Sequence, residues 1–306
     1  MLGQSNSDDS PCVTKGNVLM FQKVEQAIQK VSLDIKSIYS TPYEQHEFRN
    51  RLCQFLDSNK YNREYDREHN LPIIGLSGEV LTYLTECIIP KKQNSRLPLL
   101  LLFGNPASHS VYSKMFFSYE GKISSEGEGR DHRFWNALKE AGILRFREKS
   151  SYIENVTERS KSRKRELYDL SYESDFRIGL VAFYSMPSAA SGSKWAGVEG
   201  LRKLFGTKTL AKIVNDEKKR VEQVIGRFLN PKGAIIVFQK DAYSKIKSPQ
   251  SPDYNLSQAI MGDLHGFYLK DDSNIRLFCV PPTRRMREKK KIDLLRKFKE
   301  CILIQS

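Results

Sequence analysis

The chain has 306 residues and carries 50 Lys and Arg against 36 Asp and Glu, a formal charge of +14. That length buries a full core, in one large domain with an extension or in two small ones, and the cationic excess favours a polyanion, nucleic acid first, over a small acidic metabolite. No apolar run reaches the roughly 20 residues that cross a bilayer, and the opening MLGQSNSDDSPCV has neither a basic nor an apolar signal region. A cytoplasmic monomer with no membrane partner is the expectation.

Residues 1–16 are polar and read as a disordered tail, and 17–94 as a helical extension. Over 18–56, apolar residues recur at helical spacing (Phe21, Val24, Ala27, Ile28, Val31, Leu33, Ile35) with a break at Thr41-Pro42, which predicts two helices. Residues 58–70 read as a charged, tyrosine-rich loop, 73–89 as a turn and a short helix, and KKQNSRLP as a link. Five cysteines, Cys12, Cys53, Cys87, Cys279 and Cys301, lie far apart and form no C-x-x-C pair. They read as reduced thiols, with no metal and no other cofactor expected.

From Leu99 the pattern changes to short apolar runs alternating with helical stretches. Residues 95–306 are therefore predicted to form an α/β domain, a three-layer αβα sandwich on a central four-stranded parallel sheet. Its strands are expected at 99–103, 178–184, 234–238 and 275–280. Helices are expected over 133–142, 201–204 with 209–228, from Asp241, and over 288–304, with Asn230-Pro231-Lys232-Gly233 stopping the long one. Residues 148–165 and 245–255 read as loose, and the basic run Lys161-Ser162-Arg163-Lys164-Arg165 as a solvated face.

Ligands of open α/β sheets bind beyond the carboxyl ends of the strands. The first predicted strand ends in Phe103-Gly104-Asn105-Pro106-Ala107-Ser108-His109-Ser110, where glycine permits close backbone approach and proline stiffens the turn. An isolated Asn-Pro is most simply a side chain capping its own turn. The last strand ends in Val280-Pro281-Pro282-Thr283-Arg284-Arg285, whose hydroxyl and guanidinium groups suit phosphate. Phe134 and Trp135 read as core residues opening a helix, whereas Met115-Phe116-Phe117 sits in a long Gly/Ser-containing stretch and needs something to pack on, a nucleobase being one option.

The order of these pieces resembles the mismatch-specific branch of the uracil-DNA glycosylase superfamily. It runs from a buried strand, through Gly-Asn-Pro-Ala, an aromatic residue twelve positions after Asn105, and Arg133-Phe134-Trp135 opening a helix that ends Ala-Gly, to Lys240-Asp241-Ala242-Tyr243 after the penultimate strand. The resemblance covers about 97–304. It implies a DNA partner, a hydrolytic water placed by Asn105 and an extruded base stacked on Phe117. Gly104, Pro106, Ala107 and His109 would line the base pocket, and Ser108, Ser110, Lys240, Thr283, Arg284 and Arg285 would contact DNA. Asn105 is neutral, so it orients water through its carbonyl oxygen and cannot act as a base. Ala107 stands where other branches exclude thymine's methyl group with a tyrosine. The small residue implies a target larger than uracil: a thymine mismatch, a damaged pyrimidine or a bulky hypermodified cytosine of viral DNA.

Pro281-Pro282-Thr283 departs from the family's His-Pro-Ser or Asn-Pro-Ser, so the donor to the leaving base's oxygen is missing, a loss of about 10²–10³ in rate. Its role would pass to a backbone amide, to Arg284 or Arg285, or to His109. Otherwise the chain is a non-catalytic DNA-binding protein that recognises altered bases. A hydrolase using Ser108 or Ser110 with His109 lacks a G-x-S-x-G elbow, and a metal nuclease lacks clustered carboxylates at the strand ends.

Overall fold

The computed structural model describes residues 18–66, 68–118, 132–147, 156–189, 192–229, 233–268, 275–281 and 287–304. The expected tail at 1–16, most of the Asn230-Pro231-Lys232-Gly233 turn, and Thr283, Arg284 and Arg285 lie outside them.

The N-terminal region is not a helical extension. β1 (Leu19–Lys23) and β2 (Ile28–Asp34) form an antiparallel hairpin with Leu19 opposite Leu33. Val31, Leu33 and Ile35 are fully buried, and it is their period of two that governs here, although the longer apolar set also fits helical spacing. Helices follow only where caps favour them. α1 (Ile35–Ile38) is capped by Asp34, and α2 (Pro42–Asp57) has a Thr41/Glu44 capping box with proline in its first turn.

A 3₁₀ turn at Lys60–Arg63 leads into β3 (Tyr65–Asp66) and β4 (Leu71–Pro72), so the expected loop is partly ordered. The expected short helix is instead a β-hairpin of β5 (Ile74–Ser77) and β6 (Val80–Ile88), turning at Gly78 with φ +58°. Val80-Leu81-Thr82-Tyr83-Leu84-Thr85 is rich in β-branched and aromatic side chains, which favours the strand.

The rest of the chain is β7 (Leu97–Phe103), α3 (Ser108–Tyr112), α4 (Arg133–Glu140), α5 (Val156–Asp169), β8 (Phe176–Ala182), α6 (Gly197–Phe205), α7 (Thr207–Phe228), β9 (Ala234–Val237), α8 (Lys240–Ile246), α9 (Leu256–Met261), β10 (His265–Phe267), β11 (Arg276–Cys279) and α10 (Glu288–Leu303). Helix α5 orders much of the stretch read as loose, and residues 148–155 lie outside the described set. Nor is its basic run a uniformly solvated face: Arg163 is buried, its guanidinium 5.0 Å from the Phe146 ring and 5.8 Å from Trp135.

Among the described residues the main sheet has nine strands, in the order β1-β2-β6-β8-β7-β9-β11-β10, with β5 on β6. The four strands read from the sequence are its parallel block, β8-β7-β9-β11, and β6 joins them antiparallel through Cys87 opposite Val181 and Ile88 opposite Leu180. Helices flank the sheet. Phe103 meets Phe134 of α4, while on the other face of β7 Leu100 lies beside Gly179 and Phe228 of α7. In the parallel block β7 is central and its successors β8 and β9 lie on opposite sides, which makes the carboxyl ends of β7 and β9 a topological switch point, the place where ligands of open α/β sheets bind.

Candidate functional site

The loops leaving β7 and β8 stay paired beyond the strands. Phe103, Gly104 and Pro106 carbonyls accept from the amides of Phe183, Tyr184 and Ser188 at 2.9, 2.8 and 3.0 Å, and the Ser108 amide returns a bond to the Ser188 carbonyl. Gly104 is needed here because an added Cβ would fall 2.9 Å from Gln239 Cγ, after β9. Ala107 bridges Ser188 in parallel.

Asn105 is half-buried in this ladder, and its Nδ2 donates to Ser188 Oγ at 2.9 Å and to the carbonyls of Met186 and Pro106, both at 3.2 Å. No described residue donates to Oδ1. The side chain is thus not a simple cap of its own turn. Its donors are consumed by the scaffold, which fixes the direction of an acceptor able to orient water but not to remove a proton.

Ser188, which the sequence did not single out, is the hub: its Oγ also accepts from Gly197 N at 2.9 Å, at the start of α6. The loop before it is clamped from α7. Glu217 accepts from the Ser185 amide at 2.6 Å and from its hydroxyl, while Arg220 donates to Ala182 O at 2.5 Å, Phe183 O at 3.0 Å and Glu217 at 2.9 Å. Burial pushes the Glu217 carboxyl above its ordinary value, against the pull of Arg220.

The Met-Phe-Phe triplet divides. Met115 and Phe116 are buried, whereas Phe117 is half-buried with φ +53°, a strained setting for an aromatic residue. Its ring stacks on Phe134 at 4.1 Å, meets Phe103 edge-on at 5.0 Å and lies 5.0 Å from His132. Phe134 and Trp135 are core residues at the start of α4, as expected.

His132 was also missed. It caps α4, its Nδ1 accepting from Phe134 N at 3.2 Å, which places the proton of the neutral ring on Nε2. Burial, followed by the charges of His109, Lys291, Arg133 and Arg163, holds it down to about 4. His109, on α3 with its ring 6.2 Å from Tyr61, is likewise lowered by burial. Both rings are neutral at neutral pH.

The remaining expected residues separate. Pro106 is buried. Ser108 and Ser110 do not present hydroxyls to a ligand: Ser108 is fully buried, donating to Asn62 and to Ser188 O at 3.1 Å, and Ser110 is 3% exposed. Lys240 is exposed at the start of α8, 5.8 Å from the Tyr254 ring.

A second polar group lies beyond α3, around a cavity of about 580 Å³ lined in part by Glu25, Asp66, Glu68, Lys114 and Tyr168. Glu25, Glu68 and His69 have a spacing that suits a metal ion. The Lys114 ammonium already sits among these acids, 3.0 Å from Asp66 and 3.4 Å from Glu25, and in contact with Glu68. Burial pushes Asp66 up, but Lys114 and His69 outweigh it and leave the carboxyl below its ordinary value.

No family model and no curated protein matches the chain.

Proposed function

We propose that the chain is a DNA glycosylase that draws an altered pyrimidine out of DNA and hydrolyses its N-glycosidic bond. The observation that carries this reading is the pinned amide of Asn105, whose Oδ1 is left as an oriented acceptor beyond the carboxyl end of β7. In this reading water held by Oδ1 adds to the sugar carbon as the bond to the base breaks, and the base is stacked on the half-buried Phe117 ring. The domain over 95–306 is then a three-layer αβα sandwich built on the β8-β7-β9-β11 block, and the net charge of +14 supplies affinity for the phosphate backbone.

The donor missing from Pro281-Pro282-Thr283 falls to His132, a neutral ring with its proton on Nε2, beside Phe117. Ala107 leaves room for a substituent at the pyrimidine 5-position, so the preferred target is a mismatched thymine, a damaged pyrimidine or a hypermodified cytosine. Duplexes each carrying one such base, or uracil, test this by release of free base and by alkali-labile sites. Release that vanishes in Asn105→Ala supports the reading, and unchanged release in that variant removes Asn105 from the site. Salt-dependent binding with no release from any duplex would instead make the chain a non-catalytic reader of altered bases, a role that tolerates the missing donor.

A further inference from the structure

The basic run on α5 takes no part in the proposed hydrolysis. Lys161, Lys164, Arg165 and Tyr168 fall at i, i+3, i+4 and i+7 of that helix, on one face, and together form one wall of the cavity of about 580 Å³. The other walls come from the β1–β2 turn, with Glu25, and from the segments after β3 and α3.

At one end the charges are already matched. Lys114, held at φ +54° where a lysine is strained, puts its ammonium 3.0 Å from Asp66, 3.4 Å from Glu25 and in contact with Glu68. Those carboxylates are neutralised from within the chain and call for no added cation. On the α5 wall the balance is the reverse. Arg165 has no carboxylate partner among the described residues, Lys164 reaches Glu25 only at 3.7 Å, and the Tyr168 hydroxyl is buried without a hydrogen bond. Lys161 bonds Glu158 at 3.0 Å, but both side chains are exposed and the pair is weak. Glu25 Oε1 is likewise buried without a hydrogen bond. Unused donors thus gather on one wall, with one unused acceptor near them. A bare anion is far smaller than this cavity, whose volume falls within the roughly 300–1,000 Å³ of small-molecule sites.

We propose that the cavity binds a nucleoside phosphate. The phosphate is held by Lys161, Lys164, Arg165 and the Tyr168 hydroxyl, groups whose charge and N–H or O–H donors match its oxygens. A sugar hydroxyl or base amino group donates to Glu25, and the Tyr112 ring in the lining suits the flat face of a base. The assignment does not rest on the glycosylase reading, since Asn105, Phe117 and His132 do not line the cavity.

Isothermal titration calorimetry of the full-length protein tests it with nucleoside 5′-monophosphates of the common bases, the matching nucleosides and inorganic phosphate. At least one nucleotide should bind with a dissociation constant below about 1 mM, and its nucleoside and inorganic phosphate about 10-fold or more weakly. Arg165→Gln and Lys164→Gln should each weaken binding by about 10-fold, as loss of one charge-assisted bond does. Lys212→Gln, the same charge change at an exposed position of α7, should bind as wild type. Tyr168→Phe should bind less tightly with an unchanged thermal midpoint, because no protein group bonds its hydroxyl. Absence of nucleotide binding, inorganic phosphate binding as tightly as any nucleotide, or equal weakening by Lys212→Gln overturns the proposal. So does displacement of the nucleotide by an unaltered DNA duplex at equal phosphate concentration, which would make the α5 wall a contact for the DNA backbone.

Discussion

Asn105 Nδ2 donates to Ser188 Oγ at 2.9 Å across 83 residues of sequence. That bond joins the turn after β7 to the turn after β8 and, through Ser188, to the start of α6. Ser188→Ala deletes the acceptor shared by Asn105 and Gly197, so folding stability should fall by about 1–3 kcal/mol and base release by about tenfold. Asn105→Asp places an acceptor against the carbonyls of Met186 and Pro106 and should unfold at lower denaturant than Asn105→Ala. Equal midpoints for these two variants would remove the pinned-amide account.

Glu217 and Arg220 clamp the same turn from α7. Glu217→Ala leaves Arg220 buried without its counter-charge and should cost about 3–5 kcal/mol, read from urea unfolding. Arg220→Met should be comparably damaging, since the Ala182 and Phe183 carbonyls then lose their donor.

His132 is held at about 4 in the folded chain. The unfolded ring binds a proton below about 6.5 and the folded ring does not. The stability this group contributes is therefore fully present above that value and is lost as pH falls through it toward about 4. Proton NMR of the His132 ring should show no titration between pH 5.5 and 8. His132→Phe should lower base release by about 10²-fold, and a helix cap lost with it should cost about 1 kcal/mol; a variant with the stability loss but full activity would confine His132 to capping.

Phe117→Ala removes the ring proposed to stack on the base. Stacking of a base on an aromatic ring is worth about 1–3 kcal/mol, so affinity for an altered-base duplex should weaken about 5-fold to 150-fold, measured by fluorescence anisotropy, with little change for unaltered DNA. Equal weakening on both would mark Phe117 as structural.

Lys114 neutralises Asp66 and Glu68, whose carboxyls lie below their ordinary values of 3.8 and 4.5. Their stabilisation is present above those values and is lost as pH falls through the lower folded ones. Thermal melts should show the wild type losing stability steeply below about pH 4. Lys114→Met should be less stable at pH 7 by about 1–3 kcal/mol and should lose less on acidification.

The parallel block was legible because β7, β8, β9 and β11 are buried on both faces and read as unbroken apolar runs. The hairpins before it were not. Val31, Leu33 and Ile35 fit a strand while Val24, Ala27, Ile28 and Val31 fit a helix, and the deciding partner, β6, lies some fifty residues further on. Asn105 could be read as a rigid turn residue from Gly104 and Pro106 alone. Ser188 and Glu217 carry no local signal, since only the register of β7 on β8 brings the Ser188 loop to Asn105, and only the packing of α7 brings Glu217 to Ser185. The capping role of His132 was visible in principle, as the residue before Arg133-Phe134-Trp135.

Residues before β7 cannot be trimmed away as an appendage. Asn62 receives the Ser108 hydroxyl, Tyr83 shares a 3.1 Å bond with Ser185, and β6 covers the edge of β8 at Leu180 and Val181. A chain begun at residue 95 would lose both anchors and bare an apolar strand edge able to pair with another copy. The two parts of the sequence are a single folding unit, and removal of the first would yield aggregate instead of a smaller domain.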